Sequence, residues 1–527
     1  MRKIKKIVII ELNSELPNLG LAMVMPRFGI TVIGSILDKA GYDVKVYSES
    51  YTEVSLSKIL KEKPDCIMLN GIKTAIPRIK EFAKKLKRKK KHILIIAGGE
   101  EATMFPKNIQ EYVDYVVLHE GDETILKLLN TIKKGKGFSN INGIIYKKIG
   151  KCKRTGIPCR VKEISYRINP EIFVGLKDIG KKFIGRNFGL AHGWRVLSFP
   201  IQTTRGCIYN CAFCTQRILF GKLGYMLRDI NDIIKDIDNI IEYSGITHFT
   251  VTDNLFGGNK KYTIKFLKRV VKHFKNKENK PRFSVLMRAD QFWRKNFIYY
   301  NNLDLKLMKD AGIETISMGM ESINEETLER INKKTNIRIY INAIKRLNKF
   351  NFLTTGTFGV GGGADTKKDI IGIIKFARIY NLKRIHIYVY TILPGTTEYR
   401  LHRNLVINNV PDKYYNGHAV CILPRKMLPS ELQVESLRAM KKFNTLRSAE
   451  GIYYRLFFRK IAKSLKEHIK QLKKIEKDMI KKEIYIKNKD NKNWELNEDL
   501  LESFYIDYNR GVVKRKKIIV DGHIYCT

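Results

Sequence analysis

The chain has 527 residues, 44% of them hydrophobic, enough for three or four domains with sizeable cores. Its 99 Lys and Arg against 52 Asp and Glu leave a net charge of +47, which admits anionic partners such as nucleic acid, a membrane surface or a phosphorylated substrate. No stretch approaches the ~18 apolar residues of a spanning helix, and Ile7 to Ile10 is too short for the apolar core of a signal peptide. Eight cysteines, three of them clustered, fit a reducing compartment better than a disulfide framework, so a cytoplasmic location is expected. The lysines are spread along a chain that is also rich in Ile and Asn. AT-rich coding bias therefore explains the charge as well as an anionic partner does.

Residues 1–150 alternate strand and helix patterns. Lys6–Glu11 is an apolar strand. Phe28–Ala40 has apolar residues at Ile30, Ile33, Ile36 and Leu37 and is closed by Gly41, which predicts a helix. Strands are expected at Val44–Tyr47, Cys66–Leu69, His92–Ala97 and Tyr115–Leu118, with helices through Ile79, Phe82 and Leu86 and through Leu126 and Leu129. Such alternation predicts a Rossmann-like, doubly wound parallel sheet, with ligands bound outside the carboxyl ends of its strands. Two of those ends carry Gly98-Gly99-Glu100-Glu101-Ala102-Thr103 and Glu120-Gly121-Asp122-Glu123-Thr124. Residues 151–195 lack sustained periodicity and read as a connector with some local strand. Cys152 and Cys159 there, seven apart, read as ordinary free thiols ahead of a redox-active or metal-binding pair, since no partner cluster is visible.

The apolar run Val196–Ile201 leads into Thr204-Arg205-Gly206-Cys207-Ile208-Tyr209-Asn210-Cys211-Ala212-Phe213-Cys214, a C-x3-C-x2-C spacing. A [4Fe–4S] site normally takes four cysteines. Three ligands leave one iron open, much as a catalytic zinc keeps a free position; a structural zinc site would normally show paired C-x2-C units. Further strand–helix units follow, each ending in a polar or glycine-rich motif: Thr252-Asp253-Asn254, Arg288, Gly319-Met320-Glu321-Ser322, Gly361-Gly362-Gly363 and Pro394-Gly395-Thr396. Six units over residues 196–410 predict a partial (β/α)6 barrel, whose catalytic residues belong at those strand ends. His248 and His386 read as core histidines.

The cysteine loop resembles that of the radical S-adenosylmethionine (SAM) enzymes, including Phe213 before the third cysteine. The resemblance implies a [4Fe–4S] cluster on Cys207, Cys211 and Cys214. The open iron would bind SAM, and one electron from a flavodoxin- or ferredoxin-type donor would cleave it to methionine and a 5′-deoxyadenosyl radical. It further implies SAM contacts at Asp253, Arg288, Gly319, Glu321 and Gly361. For Glu321 a first-turn acid complementing a helix dipole is a second reading, compatible with the first. Residues 1–150 resemble the cobalamin (B12)-binding domain that precedes the core in one radical SAM class, which implies cobalamin contacts at Gly98, Gly99, Glu120, Gly121 and Thr124. The first loop, Leu12 to Arg27, has no histidine, so cobalamin bound without a protein imidazole is expected.

Residues 411–527 form a basic, mainly α-helical tail. Its Asn416-Gly417-His418 loop puts Tyr415, His418 and Cys421 near substrate, and Leu432–Leu446 is helical in pattern. From Tyr454 to Met479 an apolar stripe runs opposite a lysine-rich face. That pattern either packs on its own domain or docks on an anionic membrane. The combined expectation is a B12-dependent radical SAM methyltransferase acting on an unactivated carbon of a small-molecule or lipid substrate. Its rivals are a radical cyclase, C–C coupling or oxidation enzyme without methyl transfer, and a nucleic-acid-binding protein with a structural cluster. The ordered strand-end motifs argue against the last.

Overall fold

The computed structural model describes the chain except residues 1–2, 17–22, 159, 180–195, 221–224, 295–296, 364, 444–458, 491, 516, 521–522 and 527. In the N-terminal sheet, β1 (Lys6–Glu11), β2 (Asp43–Ser48), β3 (Cys66–Asn70), β4 (Leu94–Gly98) and β5 (Tyr115–Val117) pair in parallel in the order β2-β1-β3-β4-β5. These strands are near-continuous Val, Ile and Leu because helices cover both faces. α1 (Phe28–Lys39), α2 (Leu56–Lys61), α3 (Ile76–Lys89), α4 (Glu100–Met104) and α5 (Thr124–Lys134) supply that cover. The strand order reverses between β1 and β3, and at such a switch point the loops diverge and open a crevice.

The sheet does not stop at residue 150. β6 (Ile144–Lys148) and β7 (Lys151–Arg154) extend it as an antiparallel hairpin across that position. The described part of the connector is packed rather than free. Ile164, Tyr166 and Ile168 alternate into the core, and the buried Arg228 donates to the Tyr166 carbonyl at 2.9 Å while pairing with the buried Asp236. Alternating apolar residues were the signal for this, too brief to stand out among the glycines and lysines around them.

The second sheet is six parallel strands in chain order: β8 (Phe199–Ile201), β9 (His248–Val251), β10 (Arg282–Met287), β11 (Ile313–Glu321), β12 (Leu353–Val360) and β13 (Arg384–Val389). The helices between them are α6 (Gln216–Phe220), α7 (Ile230–Ser244), α8 (Lys260–Phe274), α9 (Asn302–Asp310), α10 (Glu325–Arg330), α11 (Ile337–Lys349) and α12 (Lys367–Ile379). Asp229, Asn259, Asn301, Asn324 and Asn336 start five of these helices by accepting a first-turn backbone N–H. Phe249, Phe283, Ile316, Phe358 and Ile387 sit buried on the helix-covered face. Thr250, Ser284, Ser317, Thr357 and Tyr388, one residue out of phase, line the opposite, partly open face.

After α13 (Thr397–His402), α14 (Pro429–Phe443) packs on α12 and β13. α15 (Lys466–Lys481) is the described end of the expected Tyr454–Met479 helix; residues 454–458 lie outside the described residues, as do 444–446 of the Leu432–Leu446 helix. Along this stretch Ile461, Leu465, Leu472, Ile475 and Met479 are all buried. Glu476 of α15 accepts from the Ser430 hydroxyl of α14 at 2.8 Å. Among the described residues the apolar stripe is taken up by packing on its own domain, the first of the two expected alternatives. No helix among the described residues is long and apolar enough to cross a membrane. Beyond α15 the chain forms short hairpins, including Phe504–Asp507 with Val512–Arg515, in a stretch whose pattern was too mixed to assign.

Candidate functional site: a cysteine loop facing a glycine-rimmed cleft

The cysteine loop is held from three sides. Gly206 turns at φ +104°, and its N–H donates to Asn254 Oδ1 at 3.0 Å. The Ala212 N–H donates to the Ile331 carbonyl (2.9 Å), and the Ala212 carbonyl accepts from the Glu398 N–H (3.1 Å). Asn332 Nδ2 donates to the Asn210 carbonyl at 2.7 Å. Cys207, Cys211 and Cys214 are free and partly buried. Burial pushes the Cys214 thiol up to about 11; the Gln216 N–H and the Lys333 ammonium oppose this, and the other two thiols add to it. Cys207 is raised too, mainly by burial, with Arg288 and Lys333 pulling the other way. The three sulfurs therefore share one local field with two cations beside it. Among the described residues no three His, Cys, Asp or Glu side chains already converge as a finished metal site. The donor set nonetheless fits a cluster, with three thiols on one pinned loop and cations placed to offset thiolate charge.

The strand-end residues divide into two groups. Glu321 stands at φ +65° where a register shift between Gly319 and Glu321 interrupts the β11–β12 ladder, and its carboxylate accepts from Lys333 Nζ at 2.8 Å. A Cβ on Gly319 would lie 2.7 Å from Glu321 Oε1, so the glycine makes room for that ion pair. Lys333 also stands 5.9 Å over the Phe213 ring, which in turn meets Tyr390 edge-on at 6.2 Å. Lys333 thus couples Glu321 to the cysteine loop. The sequence reading missed it, because a lysine after a short helix carries no motif.

Asp253, Arg288 and Gly361 are already engaged within the protein. Asp253 is buried and accepts from the Thr203 N–H (2.7 Å), the Thr203 hydroxyl and the Thr204 hydroxyl (2.6 Å), tying β9 to the base of the loop. Its neighbours Thr252 and Asn254 face the cleft instead. The buried Arg288 pairs with Asp290 at 3.0 Å, donates to the Lys333 carbonyl at 2.6 Å and stacks 3.7 Å over Tyr209 of the loop. Gly361 has φ +87°, and a Cβ there would lie 2.2 Å from Leu432 Cδ2, so packing against α14 already requires glycine. Tyr415, His418 and Cys421 are internal as well. His418 is fully buried and stacks on Tyr388 at 6.1 Å, while burial pushes Cys421 up to about 12. Tyr415 and Phe105 sandwich Lys73 Nζ at 3.7 and 3.5 Å.

Between the two sheets lies a cleft of about 370 Å³. Its deep wall is apolar, made by Ile9, Ile30, Ile33, Met68, Ile96, Val117 and Ile125, and its rim is Gly71, Gly98, Gly99, Glu120, Gly121 and Asp122. Gly99 at φ +101° sits where a Cβ would meet the Asn70 amide at 2.4 Å. An apolar slot under a glycine rim fits a corrinoid, whose nucleotide tail and flat ring need depth and close backbone approach. Gln202, Arg205, Gln216, Leu219 and Phe220 close the other side, so the cleft opens against the segment carrying the cysteines.

Glu120 does more than line the rim. It and Asp122 both take Arg205 of the cysteine loop, at 2.9 and 3.0 Å, which clamps the two domains together. Thr124 lies buried in the first turn of α5, outside the residues that line the cleft. A histidine does enter the cleft: His119, one residue before the rim motif and overlooked because the expected position was the first loop.

Residues 201–377 match the family model "Radical SAM superfamily", and residues 5–129 match "B12 binding domain". An uncharacterized methyltransferase of Pyrococcus horikoshii is 26% identical over 399 residues, which span 74% of this chain and 81% of that protein. The anaerobic magnesium-protoporphyrin IX monomethyl ester cyclase of Rubrivivax gelatinosus is 22% identical over 388 residues, 70% of this chain and 65% of that protein. The solved structure of OxsB, a cobalamin-dependent SAM radical enzyme with aqua-cobalamin and SAM bound, superposes with a TM-score of 0.63 at 15% identity, covering 91% of this chain and 73% of that one.

Proposed function

As a radical SAM enzyme with an N-terminal B12-binding domain, the protein, we propose, methylates an unactivated carbon of a small-molecule substrate held on the open face of the second sheet. The observation that carries this is the cleft shared by the two domains, with the glycine rim on one side and the cysteine-loop segment on the other. When bound, the [4Fe–4S] cluster, SAM and cobalamin supply reductive SAM cleavage and methyl delivery. Cys207, Cys211 and Cys214 would hold the cluster, and Arg288 and Lys333 would offset its negative charge. The Lys333–Glu321 pair beside Phe213 is placed to orient a zwitterion such as SAM, with the Lys333 side chain 8% exposed and that of Glu321 23% exposed. Gly98, Gly99 and Gly121 would admit the corrinoid, and the Arg205 clamp ties that rim to the cysteine loop.

The cyclase relative favours one second reading, radical chemistry without methyl transfer. Anaerobically reconstituted protein, incubated with methyl-labelled SAM and a small-molecule extract, separates the two. Methyl transfer gives S-adenosylhomocysteine as well as 5′-deoxyadenosine, with label in a product. 5′-Deoxyadenosine alone supports the second reading, and formation of neither refutes both.

A further inference from the structure

The positive charge of this chain is nearly all kept out of the cleft. Of its 99 Lys and Arg residues, only Arg27 and Arg205 are among the described residues that line it, and no lysine is. Arg205 is 4% exposed and committed to Glu120 and Asp122. Arg27 is held differently. Its backbone N–H donates to Glu11 Oε2 at 3.0 Å, and its Nε stands 3.0 Å from Glu11 Oε1. Glu11 ends β1, is buried, and is itself fixed by the Ser48 hydroxyl at 2.7 Å. One edge of the guanidinium is thus anchored inside the protein, with Nε closed off. The side chain as a whole is still 33% exposed, and among the described residues neither Nη group donates a hydrogen bond.

The position of this cation matters as much as its free donors. Arg27 starts α1 directly against the last residue of β1, at the carboxyl end of the parallel strands, the end that carries the glycine rim. Ile30 and Ile33, three and six residues on along one helix face, form part of the apolar wall of the same cleft. Between them and Arg27, Gly29 leaves open space: a Cβ there would meet nothing within 4 Å. A corrinoid has one anion to place in such a cleft. The side chains of its ring are uncharged amides, while the strand that joins the ring to the nucleotide base contains a phosphodiester. A ring on the glycine rim and a base in the apolar slot put that phosphodiester at the slot's mouth, and two parallel N–H donors on a guanidinium match two phosphate oxygens.

We infer that the Nη groups of Arg27 bind the phosphodiester of a corrinoid's nucleotide tail, and that Arg27 thereby selects a complete cobalamin over a corrinoid without the tail. The inference rests on the cobalamin-binding reading above. Glu11 acts as the positioning residue that aims the guanidinium. The contact is non-covalent and moves no proton, since guanidinium and phosphodiester are both ionised throughout the range in which the protein is folded.

The test is equilibrium binding by the cofactor-free full chain, read from the corrinoid absorbance, with aquacobalamin and diaquacobinamide as probes. Cobinamide keeps the corrin ring and its amides but lacks phosphate, ribose and base. The parent should bind cobalamin more tightly than cobinamide. Arg27→Gln should weaken cobalamin binding by about tenfold or more, as expected for one lost charge-assisted hydrogen-bonded contact, and leave cobinamide binding within about twofold. Arg27→Lys keeps the charge without the fork and should recover part of the loss. Because Arg27→Gln strands Glu11, the double variant Glu11→Gln/Arg27→Gln is the second protein should the first fail to fold, and it should show the same selective loss. Unchanged cobalamin affinity, an equal loss for both probes, or a Lys variant as weak as the Gln variant overturns the inference and leaves the cobalamin reading standing. A parent that takes up neither corrinoid overturns both.

Discussion

Arg205→Met removes the cation between the two domains and leaves Glu120 and Asp122 behind. Arg205 and Glu120 are each 4% exposed, and Asp122 is 16% exposed. Breaking a buried pair by removing one partner costs about 3–5 kcal/mol, because the remaining charge is stranded. Glu120 keeps the Val161 N–H at 3.2 Å and Arg160 Nε at 3.8 Å, which places the cost at the lower end, ~3 kcal/mol. For a domain the size of residues 196–410 that corresponds to a fall in melting temperature of about 6–12 °C. Glu120→Gln alone should cost less, since Arg205 keeps Asp122 and no carboxylate is stranded. The double variant carries the sharp expectation: it should melt above Arg205→Met, because it no longer buries a Glu120 carboxylate that has lost its closest cation. Thermal unfolding of the four proteins without cofactors measures this cycle. A double variant that melts as low as the sum of the singles, or an Arg205→Met melt within about 1 °C of the parent, would refute the account of the clamp.

Other expectations follow from single contacts. Cys211→Ala should leave the reconstituted protein without a [4Fe–4S] absorption band and without 5′-deoxyadenosine formation; retained SAM cleavage would remove the cluster assignment. Gly361→Ala forces a Cβ to 2.2 Å from Leu432 Cδ2 at φ +87° and should cost about 2–4 kcal/mol from strain and overpacking; an unchanged melt would show that α14 shifts freely. Burial pushes the Asp253 carboxyl from 3.8 up to about 6, against the hydrogen bonds of Thr203 and Thr204. A carboxyl raised on folding binds its proton more tightly in the folded state. Its contribution is therefore fullest below pH 3.8 and falls by ~3 kcal/mol as pH rises to about 6. The stability of the cofactor-free parent minus that of Asp253→Asn should fall by that much across the window, and a flat difference would mean the donors hold the carboxylate ionised throughout.

The sequence by itself determined the elements and their order. Apolar runs of four to six residues, spaced by amphipathic helices with Asn or Asp at their starts, leave a parallel sheet covered by helices as the way to bury both faces. Local information was enough because hydrophobic period and capping act over a few residues. The C-x3-C-x2-C spacing marked the cluster loop for the same reason, since three thiols on one turn share a site whatever surrounds them. Tertiary structure decided which motif side chains turn inward. Asp253, Arg288 and Thr124 occupy the expected strand ends and helix start, yet Thr203, Asp290 and the α5 packing claim them, and those partners are distant in sequence or indistinguishable from their neighbours. It also brought in Lys333, made Glu120 a clamp on Arg205 and spent the apolar stripe of α15 on α14, since an amphipathic pattern states that a face must be covered and not what covers it. His119 belongs with these. A histidine beside a glycine motif has no meaning until the fold sets it against a carbonyl from the other domain.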